Sequence, residues 1–578
     1  MPDFFADNPD IHFNLERLDL KQLADLLEGD YSDAREFDYA PEDSADAFDN
    51  YVKVCEIAGV LCGNSIAERA REVDLEGNVF QDGEVTYHPL VVANLLDFKR
   101  AQLMGVSLPR RYGGLNMPQA VKIAVLEILS RADASFMNLV GLQDIAETIS
   151  EFGTEEQMEK YIPRLATGDA TGAMVLTEPD SGSDLQSIRL KAIHPEDRHD
   201  NEVWHLMGMK RFITNGCGDI LLVQARSEEG TTDARGISLF VCEKDDTIHL
   251  RRIEDKLGIH GSPTCEMMFN NTPAYLIGKR RLGLIRYVMS LMNGARLGIA
   301  AQALGIAEAT YRTARKYAET RVQFGKTIIE IPPVYEMLTN MRVQIEASRV
   351  LLYESAKVVD LFKIPKRRMQ QNREQGKSVD PEIRKQTKYY ERLASVLTPF
   401  SKYYISEMCN RITYDGIQVM GGSGFMKDYD MERYYRDARI TTIYEGTSQL
   451  QIVGAIGGLL DGTLNRVFDE FCEHQFPGEL KMVTTRAKKF VPLFYDAVDF
   501  VKQKRQTEFT NLVARRLVDM AIDTYISILL TQCAQENDRK ATLAELWIHG
   551  ADLRVRNNRQ AILCGQPQAI LEKHQQIM

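Results

Sequence analysis

Glu445 is the acidic residue whose surroundings most favour chemistry, in the segment ITTIYEGTSQLQ from Ile440 to Gln451. This segment has no basic residue, and a carboxylate without a basic neighbour is costly to bury. That cost raises the pKa of a carboxyl group and makes it a better base for a weak carbon acid. Gly446 lets the backbone turn so that the carboxylate faces a ligand. An acid that balances a helix dipole explains this segment equally well by itself.

Two further segments carry groups that could bind a planar or phosphorylated ligand. In MVLTEPDSGSDL, Met174 to Leu185, a turn leaves a strand end and exposes hydroxyl and backbone N–H donors, which suit a flavin ring edge or a phosphate. Taken alone, an ordinary hydroxyl-rich turn is the better interpretation. In GMKRFITNG, Gly208 to Gly216, a strand edge could hydrogen-bond a heterocycle, whereas Asn-Gly also predicts a simple hairpin.

Three other features allow a functional and a structural interpretation. His260, in KLGIHGSPTCEMMFNN, could be an acid or a base, but a lone histidine without a visible partner is more often structural. Arg321, in RVQFGKTI, could pair with a phosphate or could place its charge at a helix C-terminus. The glycines of DGIQVMGGSGF, Asp415 to Phe425, interrupt helical periodicity.

The elements that must position these residues change in type along the chain. Residues 51–168 have the apolar spacing of helices, and short β-rich runs such as ILLVQA and GISLFVC follow. From about residue 284 apolar residues recur at three- and four-residue steps, as in the seam of an antiparallel bundle. We therefore predict a mainly α fold with a central β domain. The predicted segments are an acidic extension (1–50), an N-terminal helical domain (51–168), a middle β domain (169–283), a helical bundle (284–460) and an additional helical domain (461–578).

Composition excludes several classes of protein. The 578 residues are 44% hydrophobic and 26% charged, which is typical of a globular protein of several domains. Residues 1–50 hold 15 acidic and 3 basic residues, which accounts for the whole net charge of -12, so no field suited to nucleic acid is expected. Residues 363–392 hold 10 basic and 4 acidic residues and are predicted to form a solvated loop or a helix extension rather than a partner-binding patch.

The sequence has few features of a targeting segment, a membrane span or a metal-binding site. The N-terminus lacks the features of a secretory signal, and no apolar run of transmembrane length occurs. The nine cysteines are scattered, with no C-x-x-C pair, so we expect no metal site and free thiols in the cytoplasm.

Six stretches together resemble the acyl-CoA dehydrogenase family, between about residue 55 and residue 460. TEPDSGSD, KRFITNG, KLGIHGSPT, RVQFGK, QVMGGSGF and IYEGTSQ occur here in family order. The resemblance implies a helical N-domain, a barrel-like middle β domain and a C-terminal four-helix bundle, with FAD between the β domain and the bundle. The extra segments are similar to the longer bacterial branch that includes methylmercaptopropionyl-CoA dehydrogenases.

The resemblance also implies a set of binding residues. Those implied to contact the flavin are Leu176, Thr177, Ser183, Phe212, Ile213 and Thr214. Those implied to contact the FAD pyrophosphate or dinucleotide, in part from a neighbouring subunit, are Arg321, Gln323, Gln418, Gly421, Gly422, Thr447 and Gln449. Those implied for the CoA thioester are Ser183, Asn293, Arg296 and Gly446.

The implied reaction is α,β-dehydrogenation of an acyl-CoA to a trans-2-enoyl-CoA. Glu445 would remove the α-proton while the β-hydrogen passes as hydride to flavin N5. Some members carry the base at the position of Ala295, which cannot accept a proton, and this favours Glu445. The chain departs from the common pattern at Phe212, where tryptophan is usual, and at Ile331 and Pro332, where many members have His-Gln.

The expected partners are electron-transferring flavoprotein and further copies of the chain in a homodimer or homotetramer. An acyl-CoA oxidase, which passes electrons to oxygen, is the nearest alternative, and a flavin-bearing member that does not dehydrogenate is another. A nicotinamide dehydrogenase is disfavoured, because no G-x-G-x-x-G follows a strand and opens a helix.

Overall fold

The computed structural model describes residues 2–194 and 203–578, with the side chains of Ser290, Asn293 and Glu374 left aside. The chain forms two compact units. The mixed unit comprises Met1–Pro9, Glu28–Ala309 and Ser423–Thr441, and the helical unit comprises Asp10–Leu27, Thr310–Gly422 and Thr442–Met578.

Helices dominate the first 170 residues. They are α1 (Pro9–Arg17), α2 (Leu20–Glu28), α3 (Ser44–Leu61), α4 (Ala67–Glu76), α5 (Pro89–Arg100), α6 (Gln119–Ala132), α7 (Ala134–Gly141), α8 (Ile145–Phe152) and α9 (Glu155–Thr167). A small hairpin of β1 (Val79–Gln81) and β2 (Glu84–Thr86) lies between α4 and α5. The prediction of helices throughout 51–168 missed this hairpin, although its turn, Asp82-Gly83, has the positive φ angles for which Asp-Gly is suited.

The middle of the chain forms one sheet. Its strands are β3 (Gly172–Val175), β4 (Lys191–Ile193), β5 (Trp204–Thr214), β6 (Ile220–Arg226), β7 (Ile237–Glu243), β8 (Ile248–Ile253) and β9 (Thr264–Leu276). The order is β3-β6-β4-β5-β9-β7, and β7 also pairs with β6, so the sheet closes on itself as a barrel with β8 added beside β9.

Both faces of the barrel wall are buried, which explains its uninterrupted apolar runs. On β6, Leu221 and Val223 belong to one apolar core with Trp204, whereas Ile220 and Leu222 belong to another with residues of α8 and α9. The alternation follows from the two-residue period of a strand, which directs successive side chains to opposite faces.

The remainder of the chain is almost entirely helical. Its elements are α10 (Met289–Thr320), β10 (Val322–Gln323), β11 (Lys326–Thr327), α11 (Pro332–Glu374), α12 (Pro381–Met420), α13 (Gly422–Phe425), α14 (Met431–Ile440), α15 (Ser448–Leu460), α16 (Asn465–Glu473), α17 (Lys481–Lys488), α18 (Phe490–Lys504), α19 (Thr507–Cys533), α20 (Asp538–Leu563) and α21 (Gln566–Lys573). The mainly α fold with a central β domain is confirmed. The basic segment 363–392 extends α11 and α12, with a short turn at 375–380 between them. Every helix in the described ranges is too short or too polar to span a bilayer.

Ion pairs join Asp10, in the acidic N-terminal segment, to α20 within the helical unit. The Asp10 carboxylate accepts hydrogen bonds from Arg539 at 2.6 and 2.9 Å and from Lys540 at 2.7 Å. Lys540 also donates to Glu346 on α11 at 2.7 Å. Burial raises the pKa of Asp10, but these cations outweigh that effect and hold it well below its ordinary value. Truncating one partner would leave an uncompensated buried charge, so this cluster ties the two ends of the chain to α11.

Helices α12 and α15 approach each other closely at the face of α15 that carries Gly454 and Gly458, which we call its glycine face. A Cβ on Gly458 would lie inside van der Waals contact with Val396 Cγ2, and one on Gly454 would lie 3.8 Å from Pro399 Cγ. The neighbouring Gly457 is exposed and has nothing within 4 Å of such an atom. The glycine face of α15 therefore sets the separation of the two helices.

We expect Gly458→Ala to lower the free energy of unfolding by about 1–3 kcal/mol, because the added methyl overpacks the α12–α15 contact. Gly457→Ala is the matched control and should raise stability by about 0.5–1 kcal/mol, since alanine is the better helix former in open space. Thermal unfolding midpoints of both variants measure this. A shift of both midpoints in the same direction would contradict the close approach.

Candidate functional site

The first predicted turn leaves the end of β3 as expected. The Leu176 carbonyl accepts a hydrogen bond from Lys210 Nζ at 2.7 Å, and the Thr177 carbonyl accepts one from the backbone N–H of Arg211 at 3.0 Å. The chain then turns through mutual backbone bonds between Glu178 and Ser181. Leu176 and Thr177 are thereby brought beside β5, the strand that carries Phe212, Ile213 and Thr214, while Ser183 is exposed.

A buried ion pair supports this junction. Lys210 is completely buried, and its ammonium lies 3.0 Å from Glu178 Oε1. Burial lowers the pKa of Lys210 to about 8, against the opposing effect of Glu178. Glu178 also accepts the backbone N–H groups of Arg189 and Leu190 at 2.6 and 2.9 Å. Lys210 and Glu178 therefore fix the end of β3 to β5.

Phe212 lies at a bulge in β5. The register with β9 shifts between Lys210 and Ile213, and Phe212 has a φ of 61°, unusual for a bulky residue. Its ring is half exposed, with the Arg211 guanidinium 4.6 Å from the ring centroid. The bulge therefore turns an aromatic side chain out of the barrel wall.

The hairpin interpretation of Asn215-Gly216 is wrong. The strands that this turn joins are not neighbours in the described sheet, because β5 pairs with β4 and β9 whereas β6 pairs with β3, β4 and β7. The Asn215 side chain instead donates to the Gly172 carbonyl at 2.9 Å, and its backbone N–H donates to the Pro263 carbonyl at 2.7 Å.

His260 has structural partners that its own segment does not reveal. One ring nitrogen lies 3.0 Å from Asp74 Oδ1, and the other lies 2.8 Å from the Lys256 carbonyl. Arg436 donates to the same carboxylate at 2.6 and 3.1 Å. The hydrogen bond to Asp74 raises the pKa of His260 to about 9. His260 is therefore one arm of an Asp74-centred network within the mixed unit.

A second histidine, His88, lies with Glu72 and Glu76 at distances that could suit a metal ion. Its Nδ1 accepts the Leu90 N–H at 3.2 Å at the start of α5, and its Nε2 lies 2.9 Å from Glu76. Both ring nitrogens are thus engaged, and helix capping accounts for this histidine.

In the helical unit, Arg321 is exposed just before the β10–β11 hairpin, and Gln323 is exposed within β10. The Arg321 backbone follows the last residue of α10, with its N–H donating to the Tyr317 carbonyl at 2.9 Å. The hairpin turn at Phe324-Gly325 has positive φ angles of 53° and 78°. Ile331 is the N-cap residue of α11 and Pro332 is its first residue, a position that suits proline.

The predicted glycine break lies at the end of α12. Gly421 has a φ of 59°, and a Cβ on Gly421 or Gly422 would have no atom within 4 Å. Gln418, one turn earlier, is exposed and donates to the Tyr414 hydroxyl at 3.1 Å. The end of α12 therefore offers open backbone next to a polar side chain.

Glu445 lies in the loop that precedes α15, in a left-handed conformation. Its φ is 53° and that of Gly446 is 87°, and the Glu445 side chain is partly buried. Thr447 is the N-cap of α15 and accepts the Leu450 N–H at 3.4 Å. Thr447 therefore caps the helix, and Glu445 lies two residues before that cap.

Buried donors that sequence reasoning missed hold this loop. Gln451 Nε2 donates to the carbonyls of Glu445 and Gly446, both at 3.0 Å, and Lys402 Nζ donates to the Gly446 carbonyl at 2.6 Å. The Ser448 hydroxyl donates to Glu407 at 2.6 Å. A signal for Lys402 existed, since it is a charged residue inside the apolar run of α12.

The remaining predicted residues are placed as follows. Gln449 is exposed on the first turn of α15. Arg296 and Ala295 lie on α10 and are partly buried. The Asn293 side chain lies outside the described residues. The flavin residues Leu176, Thr177, Phe212, Ile213 and Thr214 thus cluster in the mixed unit, and Glu445, Gly446, Thr447 and Gln449 cluster in the helical unit.

Comparison with protein families identifies matches along most of the chain. The N-terminal, middle and C-terminal domain models of acyl-CoA dehydrogenases match residues 58–169, 173–272 and 297–449. A further model, acyl-CoA dehydrogenase C terminal, matches residues 460–566.

Individual proteins agree with these matches. An acyl-CoA dehydrogenase of Bacillus subtilis is 37% identical over 367 residues, which are 62% of this chain and 88% of that protein. The 3-methylmercaptopropionyl-CoA dehydrogenase of Ruegeria pomeroyi is 32% identical over 69% of this chain and 68% of its own length. The structure of an acyl-CoA dehydrogenase from Bacillus anthracis complexed with FAD has a TM-score of 0.73 over 91% of both chains at 21% identity, a likeness of fold.

The raised pKa of His260 predicts a pH dependence of stability. A group whose pKa is higher in the folded state stabilises it below the unfolded pKa of about 6.5 and loses this effect as pH rises through about 9. The difference in unfolding midpoint between wild type and His260→Gln should therefore shrink between pH 6.5 and pH 9.5. His249→Gln, at an exposed strand position, is the control, and its difference from wild type should stay constant. A His260→Gln difference that is independent of pH would contradict the Asp74 pairing.

Proposed function

The chain belongs to the acyl-CoA dehydrogenase family, and we propose that it uses FAD to dehydrogenate an acyl-CoA thioester to a trans-2-enoyl-CoA. Glu445 is the base that removes the α-proton. The observation that carries this proposal is the loop of Glu445, which has a positive φ angle at this residue and is held by hydrogen bonds from buried donors.

Backbone strain supports a functional role for Glu445. A residue other than glycine in the left-handed region costs about 1–3 kcal/mol and persists only where its surroundings hold it. Such residues cluster at active sites, and here two buried donors hold the carbonyls of Glu445 and Gly446. These bonds fix the backbone from which the Glu445 side chain projects, which supports a role as a general base.

The residues present fit a flavin dinucleotide. In the mixed unit, the half-exposed ring of Phe212 offers an apolar face, and Leu176, Thr177, Ser183, Ile213 and Thr214 supply the remaining proposed contacts to the flavin. In the helical unit, the open backbone of Gly421 and Gly422 leaves room for phosphates, and Arg321 supplies a cation. The other proposed dinucleotide contacts are Gln323, Gln418, Thr447 and Gln449. We propose that the pyrophosphate contacts come from a second copy of the chain.

The chain's own groups account for substrate activation. Ser183, Asn293, Arg296 and Gly446 are the proposed contacts to the CoA thioester. The main-chain N–H of Glu445 donates to the thioester carbonyl oxygen, where negative charge develops, and one such donor contributes roughly 3–4 kcal/mol. The Glu445 carboxylate accepts the α-proton, which contributes about 10²–10⁴-fold to the rate. FAD, when bound, takes up the β-hydrogen with its electron pair.

The wider assignments belong to the same proposal. We propose that electrons pass to electron-transferring flavoprotein and that the enzyme is a cytoplasmic homodimer or homotetramer. The domain boundaries predicted above, 51–168, 169–283, 284–460 and 461–578, are likewise proposed.

Glu445→Gln should retain FAD but lose about 10²–10⁴-fold in the rate of flavin reduction, because the isosteric amide cannot accept the α-proton. Anaerobic bleaching of the bound flavin measures this, against a panel of short, long, branched, aromatic and dicarboxylic acyl-CoAs. Glu354→Gln removes a partly buried carboxylate of the same unit that pairs with Arg17, and should reduce its flavin at the wild-type rate. Wild-type bleaching in Glu445→Gln would refute the role of this carboxylate.

The electron acceptor separates a dehydrogenase from an oxidase. With the acyl-CoA that bleaches the flavin fastest, electron-transferring flavoprotein should be reduced at a rate that greatly exceeds the rate of peroxide formation in air. Parallel assays of flavoprotein reduction under nitrogen and of peroxide yield under oxygen measure the ratio. Stoichiometric peroxide at the turnover rate would identify an oxidase instead.

A further inference from the structure

We propose that Lys402 is a positioning residue for Glu445, and that it acts through the Gly446 carbonyl to hold the carboxylate in its reactive direction. This inference rests on the function proposed above. It assigns a role to a residue of α12 that lies far from Glu445 in the sequence.

The contact is short and enclosed. Lys402 is completely buried, and its Nζ lies 2.6 Å from the Gly446 carbonyl oxygen. The same carbonyl accepts Gln451 Nε2 at 3.0 Å, so the Gly446 carbonyl receives one donor from α12 and one from α15. Gly446 also lies close to Gln451, since a Cβ there would come within 2.7 Å of its Nε2. The loop thus has little freedom between the two donors.

The glycine face of α15 brings Lys402 within reach of the loop. Val396, Pro399 and Lys402 follow one another at three-residue steps along α12. The first two meet Gly458 and Gly454 of α15, and Lys402 then meets the loop that precedes this helix. A side chain at Gly458 would separate the helices and withdraw the ammonium from the Gly446 carbonyl, whereas Gly454 is in ordinary contact distance of Pro399.

The cost of burying an ammonium argues for a role beyond packing. A buried charge costs several kcal/mol unless it is paired or hydrogen-bonded, so an ammonium at this buried position needs partners, and the Gly446 carbonyl is one of them. A cation held one peptide away from Glu445 also favours the charged form of its carboxylate. Lys402 would therefore both fix the loop and keep the base ready to accept a proton.

Other charged groups of the helical unit contact Ser448 or the neighbours of Lys402 on α12. Glu407 of α12 accepts the Ser448 hydroxyl, and Arg515 of α19 lies 3.5 Å from Glu407. Asp519 of α19 accepts the Tyr403 hydroxyl at 2.8 Å, and burial raises the pKa of Asp519 to about 6. These groups remain in a variant of Lys402, so a difference between variant and wild type reports on the lysine.

The test is Lys402→Met, which keeps the length of the side chain and removes its charge and donors. We expect normal FAD content and a rate of anaerobic flavin reduction lowered by about 10²-fold, the usual cost of a small misplacement of a catalytic group. The midpoint of the rate–pH profile should move upward, because loss of a nearby cation disfavours the carboxylate form. Lys402→Arg keeps charge and donors and should restore the wild-type midpoint.

Lys540→Met is the matched structural control, because Lys540 is also a buried lysine of the helical unit with hydrogen bonds to Asp10 and Glu346. It should lower the unfolding midpoint without moving the rate–pH profile. If Lys402→Met yields no folded protein, Gln451→Leu removes the second donor to the Gly446 carbonyl and should lower the rate of flavin reduction at normal FAD content.

Two outcomes would overturn the inference, and Glu445→Gln separates them from failure of the proposed function. One is a Lys402→Met enzyme with wild-type rate and midpoint. The other is a loss of rate with an unmoved midpoint that Lys540→Met reproduces. If Glu445→Gln is inactive in the same assays, either outcome rejects the role of Lys402 alone. If Glu445→Gln is fully active, the proposed function itself fails.

Discussion

The peptide between Glu445 and Gly446 is the point on which the candidate chemistry depends. Both residues have positive φ angles, and for glutamate this conformation is unfavourable in an unconstrained chain. The loop keeps it because its two carbonyls accept hydrogen bonds from buried donors on separate helices. Lys402 is in place because Gly458 on α15 allows α12 to approach closely, whereas Gln451 belongs to α15 itself. The conformation of the Glu445 loop thus depends on its hydrogen-bond donors, and the position of Lys402 depends in turn on helix packing.

The mixed unit has a similar arrangement at Phe212, a strained residue near a buried lysine. This residue also has a positive φ, at a bulge where β5 shifts its register against β9. The adjacent ion pair of Lys210 and Glu178 is buried and fixes the end of β3 to β5. In both units, a strained residue at the candidate site is next to a buried lysine that donates to a main-chain carbonyl. Burying a lysine costs free energy unless its ammonium is hydrogen-bonded, and its hydrogen bond to a backbone carbonyl also fixes the local geometry.

Parts of the segments added to the common plan, including Asp10–Leu27, belong to the helical unit. Asp10 of α1 is held by Arg539 and Lys540 of α20, and Lys540 also reaches Glu346 of α11. At least one carboxylate of the acidic first 50 residues therefore neutralises a buried cation, because Asp10 pairs with the buried Lys540. The basic segment 363–392 lengthens two long helices, which agrees with the prediction of a helix extension.

The sequence by itself determined the succession of helices, β domain and helices, because apolar periodicity is a local property that each element carries in its own residues. It also indicated Glu445 and the six stretches of the family, since these are short motifs with local turn chemistry. Only the tertiary structure decided that His260 pairs with Asp74, that the Asn-Gly turn joins strands that are not neighbours, and that Lys402 and Gln451 hold the Glu445 loop. These contacts join residues whose proximity depends on strand order and helix packing, and no local pattern encodes either. Lys402 is the clearest case. Its place in an apolar run is explained only by the folded structure, which brings the Gly446 carbonyl, 44 residues away, beside its ammonium as an acceptor.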